Sequence, residues 1–312
     1  MKKILIIPAA ILMLLSTLIG CKKDGALKPI ASDSTVTTLA TGAYSFVTTD
    51  NTGELYALGY NGTTIFKYDG HNGKIAFYTS PQVSSGDTTS ANKLECLTSD
   101  SLGNVYTVSV NSAGVADILK ITSSGAASTI LSNVNSNNAY PIQCLATYNG
   151  TFYFSNPDGI YKIVAGGAPQ FLVSIINSSF AIDRNGNVIY TAYSQANNNG
   201  QISLDEITPQ GAQSVVVANL YTAINSGITA TVATDKLGNV CTYVTADSFA
   251  LLKTNSNAKT TTLLSGVIGN VDGTFKTAKI AGVIDMVADP SGNIYFSQGS
   301  GLSANSVRKI TF

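Results

Sequence analysis

A five-residue turn, Asp-x-x-Gly-Asn, returns along this chain and limits what it can fold into. It stands as Asp100-Ser-Leu-Gly-Asn104, Asp183-Arg-Asn-Gly-Asn187, Asp235-Lys-Leu-Gly-Asn239 and Asp289-Pro-Ser-Gly-Asn293, with looser copies at Asp50-Asn-Thr-Gly-Glu54 and Thr147-Tyr-Asn-Gly-Thr151. Glycine supplies a positive φ, and the Asp and Asn side chains bond local backbone groups, so each copy predicts a tight hairpin. Three residues before each copy comes an apolar position: Val47, Leu97, Cys144, Phe180, Val232 and Met286. Five residues after its first position comes another: Leu55, Val105, Phe152, Val188, Val240 and Ile294. Strands packed between sheets require that pattern.

A third apolar run follows each hairpin, as in Ile65–Tyr68, Ile118–Ile121, Ile160–Ile163, Leu204–Ile207, Leu251–Thr254 and Val307–Ile310. A fourth follows in five repeats and is missing from the last, which stops at Phe312. Val36–Ala40, at the start of the domain, has the character of the missing strand. Six repeats of four strands predict an all-β, six-bladed propeller of antiparallel blades over residues 34–312, its ring closed by the amino-terminal strand completing the last blade.

Ahead of the domain, Met1-Lys2-Lys3 precedes an apolar run from Ile4 to Ile19, the pattern of a secretory signal peptide over residues 1–20. Leu18-Ile19-Gly20-Cys21 resembles a bacterial lipobox, which implies cleavage before Cys21 and acylation of its sulfur and amino terminus. Residues 21–33 then form a lipidated, flexible tether. The Cys21-Lys-Lys-Asp24 start resembles lipoproteins of the Bacteroidetes, and lysine after the cysteine favours the outer membrane. The chain is expected in the cell envelope, held to a membrane through lipid and otherwise monomeric.

Charged residues are only 12% of the chain and the formal net charge is zero. No basic field exists to hold a phosphate backbone, which argues against a nucleic-acid partner. Beyond Cys21, Cys96, Cys144 and Cys241 read as buried thiols behaving as small apolar residues, with a bridge between Cys96 and Cys144 left open. The single histidine, His71, falls in a peripheral turn, so neither a multi-histidine zinc site nor a Ser–His–Asp triad is expected.

The hairpin and its flanking strands resemble NHL repeats. The clearest stretch runs from Gly269-Asn-Val-Asp-Gly-Thr274 through Ala278 to Asp289-Pro-Ser-Gly-Asn-Ile-Tyr295 and Val307-Arg-Lys-Ile310. It departs from the family pattern at Ile280 and Gly282, where an aromatic and a proline are usual. The resemblance is specific for fold and not for function, since such propellers include binding modules, lyases and lactonases.

Candidate site residues follow from position. Four residues before each turn stand Phe46, Cys96, Gln143, Ser179, Thr231 and Asp285, where innermost strands line a central channel, and Glu95 is adjacent. The repeat does not demand carboxylates there. Related lactonases hold a divalent cation in the channel with oxygen ligands, which makes Glu95, Asp285 and Gln143 the candidates for Ca²⁺ or another divalent ion if the chain holds a cofactor at all. The loops after the second strands offer Tyr60, Asn61, Tyr193, Gln195, Asn197, Asn198, Asn199, Gln298 and Asn305 for a protein or glycan. Bacteroidetes envelope proteins resemble each other in carrying O-glycans at Asp-(Ser/Thr)-x sites, which marks Ser34 and Thr88. With no catalytic constellation in view, the leading expectation is a non-catalytic binding or scaffold module on the outer membrane. A metal-dependent, lactonase-like hydrolase and a structural envelope protein are the alternatives.

Overall fold

The computed structural model describes residues 34–68, 73–81, 92–134, 141–164, 167–175, 179–196, 199–223, 228–245, 248–266, 268–299 and 305–312. The signal peptide, Cys21, the tether, His71, Thr88, Asn197 and Asn198 lie outside them. Among the described residues every regular element is a strand, arranged in six antiparallel sheets. Five sheets are simple four-stranded meanders. They are the first five blades, and their innermost strands are Tyr44–Thr49, Lys93–Ser99, Cys144–Tyr148, Phe180–Ile182 and Thr229–Thr234.

The sixth blade is built on Val283–Ala288 and has five strands. Thr35–Thr41 pairs antiparallel with Ser306–Thr311, in the register Thr35 opposite Thr311 and Val36 opposite Ile310. The amino-terminal strand thus closes the ring, as expected. Sequence reading did not foresee the fifth strand: Gly273–Thr274 lies along the outer edge of Thr35–Val36 and covers it. The Gly- and Asp-containing segment around Asp272 supplies this cover. Asp272 Oδ2 accepts the Thr38 N–H at 2.8 Å and Oδ1 accepts the Thr38 hydroxyl at 2.9 Å. Arg308, wholly buried, donates to Asp272 Oδ1, Val271 O and Lys279 O at 2.8–2.9 Å, and so pins the cover to the closing sheet. An edge strand left bare would invite pairing with other chains.

The hairpin chemistry is as read. Asp100 Oδ1 accepts the N–H groups of Leu102 and Asn104, both at 2.9 Å, and Oδ2 accepts the Asn104 amide and the Tyr106 hydroxyl, both at 2.8 Å. Burial alone would raise the Asp100 pKa; these bonds outweigh it and hold the carboxyl below its ordinary value. Asp183, Asp235 and Asp289 repeat the arrangement. The repeated aspartates are therefore occupied as turn caps. Blade 3 lacks the Asp and turns instead on Asn149-Gly150, both at positive φ (48° and 76°), the residue pair a two-residue hairpin favours.

Six apolar clusters fill the six clefts between neighbouring blades. Tyr56, Leu58, Ile65, Leu94, Leu97 and Val105, for example, join blades 1 and 2. The core is a ring, and its centre is left to polar residues. Hydroxyls stitch the innermost strands across the blades. Thr49 donates to Ala288 O at 3.0 Å, Ser99 to Thr49 O at 2.7 Å and Thr234 to Ile182 O at 2.7 Å.

Candidate active site in the central channel

Three of the innermost strands are irregular where they face the axis. The ladder shifts register between Tyr44 and Val47 in blade 1, between Glu95 and Leu97 in blade 2, and between Val283 and Asp285 in blade 6. Bulges of this kind re-aim side chains and free main-chain groups. In blade 1 the freed Val47 N–H donates to Asp285 Oδ2 of blade 6 at 2.9 Å. In blade 2 the bulge puts Cys96 at φ 57°, turns it wholly into the cleft with blade 3, and leaves Glu95 on the channel wall. The expected channel position of Cys96 is corrected on this ground: a bulged strand no longer keeps a period of two.

The channel mouth holds two recesses with Phe46 and Gln143 in the wall of both. The first, of about 380 Å³, is lined by Phe46, Gln143, Cys144, Ser179, Thr231 and Asp285, among others. Five of the six channel positions read from the repeat therefore meet in one place. The second, of about 450 Å³, is lined by Ser45, Phe46, Tyr60, Lys93, Glu95 and Gln143, with Pro141 and Ile142. A deeper cavity of about 300 Å³ continues from Phe46 and Asp285 towards the Asp-turn face, past Thr49, Ser99, Thr147 and Thr234 to Lys236. These volumes suit small molecules.

Asp285 is the most perturbed acid in the channel. Burial pushes its carboxyl from 3.8 up to about 7, against the opposing pull of the Val47 and Met286 N–H groups. It lies on the wall common to the first recess and the deep cavity. Ser179 Oγ, in the same recess, accepts the Val232 N–H at 3.1 Å. Burial raises Cys96 well above 9, with Cys144, Glu95 and Asp285 adding to the effect, and lifts Cys144 to about 12, with help from Asp285. Cys96, Cys144 and Cys241 are all free.

The expected cation site does not assemble from these donors. Glu95 and Asp285 line different recesses. The Lys93 ammonium stands 3.2 Å from Glu95 Oε1, where an ion would have to approach, and Val47 N–H takes one oxygen of Asp285. Among the described residues no group of three or more His, Cys, Asp or Glu side chains comes together. The donor set does not fit a calcium-type centre, which takes six to eight oxygens.

The loop candidates fare unevenly. Tyr60 is 68% exposed beside the second recess, and Asn61 next to it accepts the Thr63 N–H. The expected loop from Tyr193 is instead an extended hairpin, Val188–Ala196 against Asn199–Ile207, with Gln195 and Asn199 in its strands and Tyr193 packed on the core between blades 4 and 5. Gln298 is fully buried; it donates to Asn270 Oδ1 at 2.9 Å and accepts from Arg308 at 3.2 Å, so it serves the closure and faces no ligand. Asn305 is exposed, and its carbonyl accepts the Gly42 N–H at 2.8 Å. Ser34, only 2% exposed with a buried hydroxyl, is corrected as a glycan site, because an enzyme cannot reach it on the folded domain. Sequence reading missed Lys93, whose role depends on the bulge beside it.

Solved structures share the fold. A gluconolactonase from Xanthomonas campestris aligns over 89% of this chain and 89% of its own, at TM-score 0.59 and 8% identity. A virginiamycin B lyase from Staphylococcus aureus aligns over 90% of this chain and 100% of its own, at TM-score 0.55 and 11% identity. A protein of unknown function from Bacteroides thetaiotaomicron aligns over 89% of this chain and 76% of its own, at TM-score 0.60 and 14% identity. No protein-family model matches the chain, and no curated protein does. The expectation of a non-catalytic binding or scaffold module is withdrawn, since it finds no support here: the two neighbours above that carry a stated activity are enzymes. At such identities the likeness carries the six-bladed propeller and no more.

Proposed function

We propose that the chain is a lactonase-like hydrolase that opens a small cyclic ester in the first recess, with Asp285 as its general base and acid. One arrangement carries the reading: the Asp285 carboxyl lies on the recess wall with one oxygen bonded by the Val47 N–H of the neighbouring blade, and burial raises its pKa to about 7. A group of that pKa both accepts and returns a proton at neutral pH. As carboxylate, Asp285 takes a proton from water while the water oxygen adds to the ester carbonyl. When the tetrahedral adduct collapses, the ring C–O bond breaks and Asp285 returns the proton to the leaving oxygen, giving a hydroxy acid. The Val47 N–H bonds one carboxylate oxygen and so restricts the orientation of the group. Gln143, Ser179 and Thr231 supply neutral hydrogen-bonding groups around the substrate, and Phe46 an apolar wall. The gluconolactonase among the structural neighbours supports the choice of reaction.

The test is hydrolysis of γ- and δ-lactones by pH-stat, with a rate that rises through about pH 7 as Asp285 ionises and is lost in Asp285→Asn. Turnover of no lactone, or equal turnover in the variant, sinks the reading. The address belongs to the same proposal: an NHL-like lipoprotein of Bacteroidetes type, anchored in the outer membrane through Cys21, supported by the lipobox-like Leu18–Cys21 and the Cys-Lys-Lys-Asp start.

A further inference from the structure

The second recess has no part in the chemistry proposed for Asp285, yet it contains a group in need of a partner. Glu95 Oε2 is buried and has no hydrogen-bond partner among the described residues, while Oε1 is held by Lys93 Nζ at 3.2 Å. A carboxylate oxygen kept from water without a donor is costly, so a guest that draws the Glu95 side chain towards the recess and donates to it is favoured. Charge decides what that guest is. Lys93 in the same wall opposes a cation, Glu95 opposes an anion, and together they leave the recess without net charge. The remaining lining is a hydroxyl from Ser45, an amide from Gln143, and the rings of Phe46 and Tyr60, the latter standing 68% exposed at the rim. Aromatic faces beside a carboxylate and an amide match a ring that presents C–H groups on one side and hydroxyls at its edge.

We infer that this recess is a binding subsite for a neutral, hydroxyl-bearing ring, with Glu95 as acceptor of its O–H groups and Tyr60 as its apolar rim. The inference rests on the lactonase reading only for what lies next door. With Phe46 and Gln143 in the walls of both recesses, a substrate reacting at Asp285 places its hydroxyls here. A free sugar and the hydroxyls of a sugar-derived lactone share this chemistry.

The test uses a probe with hydroxyls and no ester, methyl α-D-glucopyranoside, titrated by ligand-observed NMR. Saturable binding to one site is expected in the wild type and in Asp285→Asn, weakened at least tenfold in Glu95→Gln and several-fold in Tyr60→Ala. Tyr60 is exposed, so the second variant tests the site even where the first disturbs folding. δ-Gluconolactone against δ-valerolactone, which has no hydroxyls, separates the two sources: KM for the first alone should rise in Glu95→Gln. Binding without lactone turnover would leave the subsite standing and remove the hydrolase. Absence of saturable binding, equal binding in both variants and the wild type, or calcium binding that Glu95→Gln abolishes would each overturn the inference.

Discussion

Replacing Asp285 by Asn should make the protein more stable at neutral and alkaline pH while it stops the reaction proposed. The argument is a linkage between protonation and folding. In the unfolded chain this carboxyl ionises near 3.8, and in the channel near 7. Each pH unit between the two corresponds to about 1.4 kcal/mol, so ionised Asp285 costs the folded state roughly 4 kcal/mol. The sign follows from a raised carboxyl pKa. Stability is complete below about pH 4, falls as pH rises through 7, and is flat above. Asparagine has the same shape, keeps an oxygen for the Val47 N–H and never ionises. The variant should therefore match the wild type near pH 4 and exceed it by about 2–4 kcal/mol at pH 8, the lower figure allowing for channel water around the charge. For a domain of this size the gain is roughly 3–7 °C in melting temperature. Urea unfolding of both proteins from pH 4 to 8.5 checks it, since every other titrating group is common to the two. A stability gap that does not change with pH, or a variant weaker at pH 8, would refute the desolvation argument and with it the basis for Asp285 as the acid–base group.

Three further outcomes are expected. Asp100→Ala removes the acceptor of four hydrogen bonds at its hairpin and should cost about 2–3 kcal/mol in denaturant unfolding. Because the Asp100 pKa is depressed, the stabilisation it gives is present above its ordinary value and should disappear as pH falls through and below 3.8. Arg308→Met removes one donor each from Val271 O, Lys279 O and the half-exposed Asp272, leaving them their remaining bonds to each other's N–H groups and to Thr38; a loss of about 3 kcal/mol, with faster proteolysis in the covering segment 268–282, is the expected result. Cys21→Ser should abolish incorporation of labelled palmitate in a host with a lipoprotein pathway and release the protein from the membrane fraction, and retention of label would place the acyl group elsewhere.

How much of this was legible beforehand depends on the range of the forces involved. The Asp-x-x-Gly-Asn hairpins could be read because all their bonds run between residues two to six apart, so a short window contains the whole mechanism. The closing strand could be read because the last repeat lacked one and the first residues supplied its pattern. Only the outer part of the long hairpin from Val188 was misread as a loop, since Tyr193–Gly200 is rich in Asn and Gln, and what keeps it extended is packing on blade 5 through Tyr193. Gln298 looked like a ligand-facing amide because nothing near it in sequence reveals that Arg308 and Asn270 surround it.

The sequence by itself determined the number of blades, the order of strands, the closure of the ring and five of the six positions that face its axis, because period and turn chemistry are local. Only the tertiary structure decided which of those residues make a site. Three strand bulges brought Asp285 against the Val47 N–H, turned Cys96 into a cleft and left Glu95 beside Lys93 on the wall. The displaced ionisation of Asp285 is a further step removed, since it comes from the solvent excluded by six blades together, and no single stretch of chain contains it.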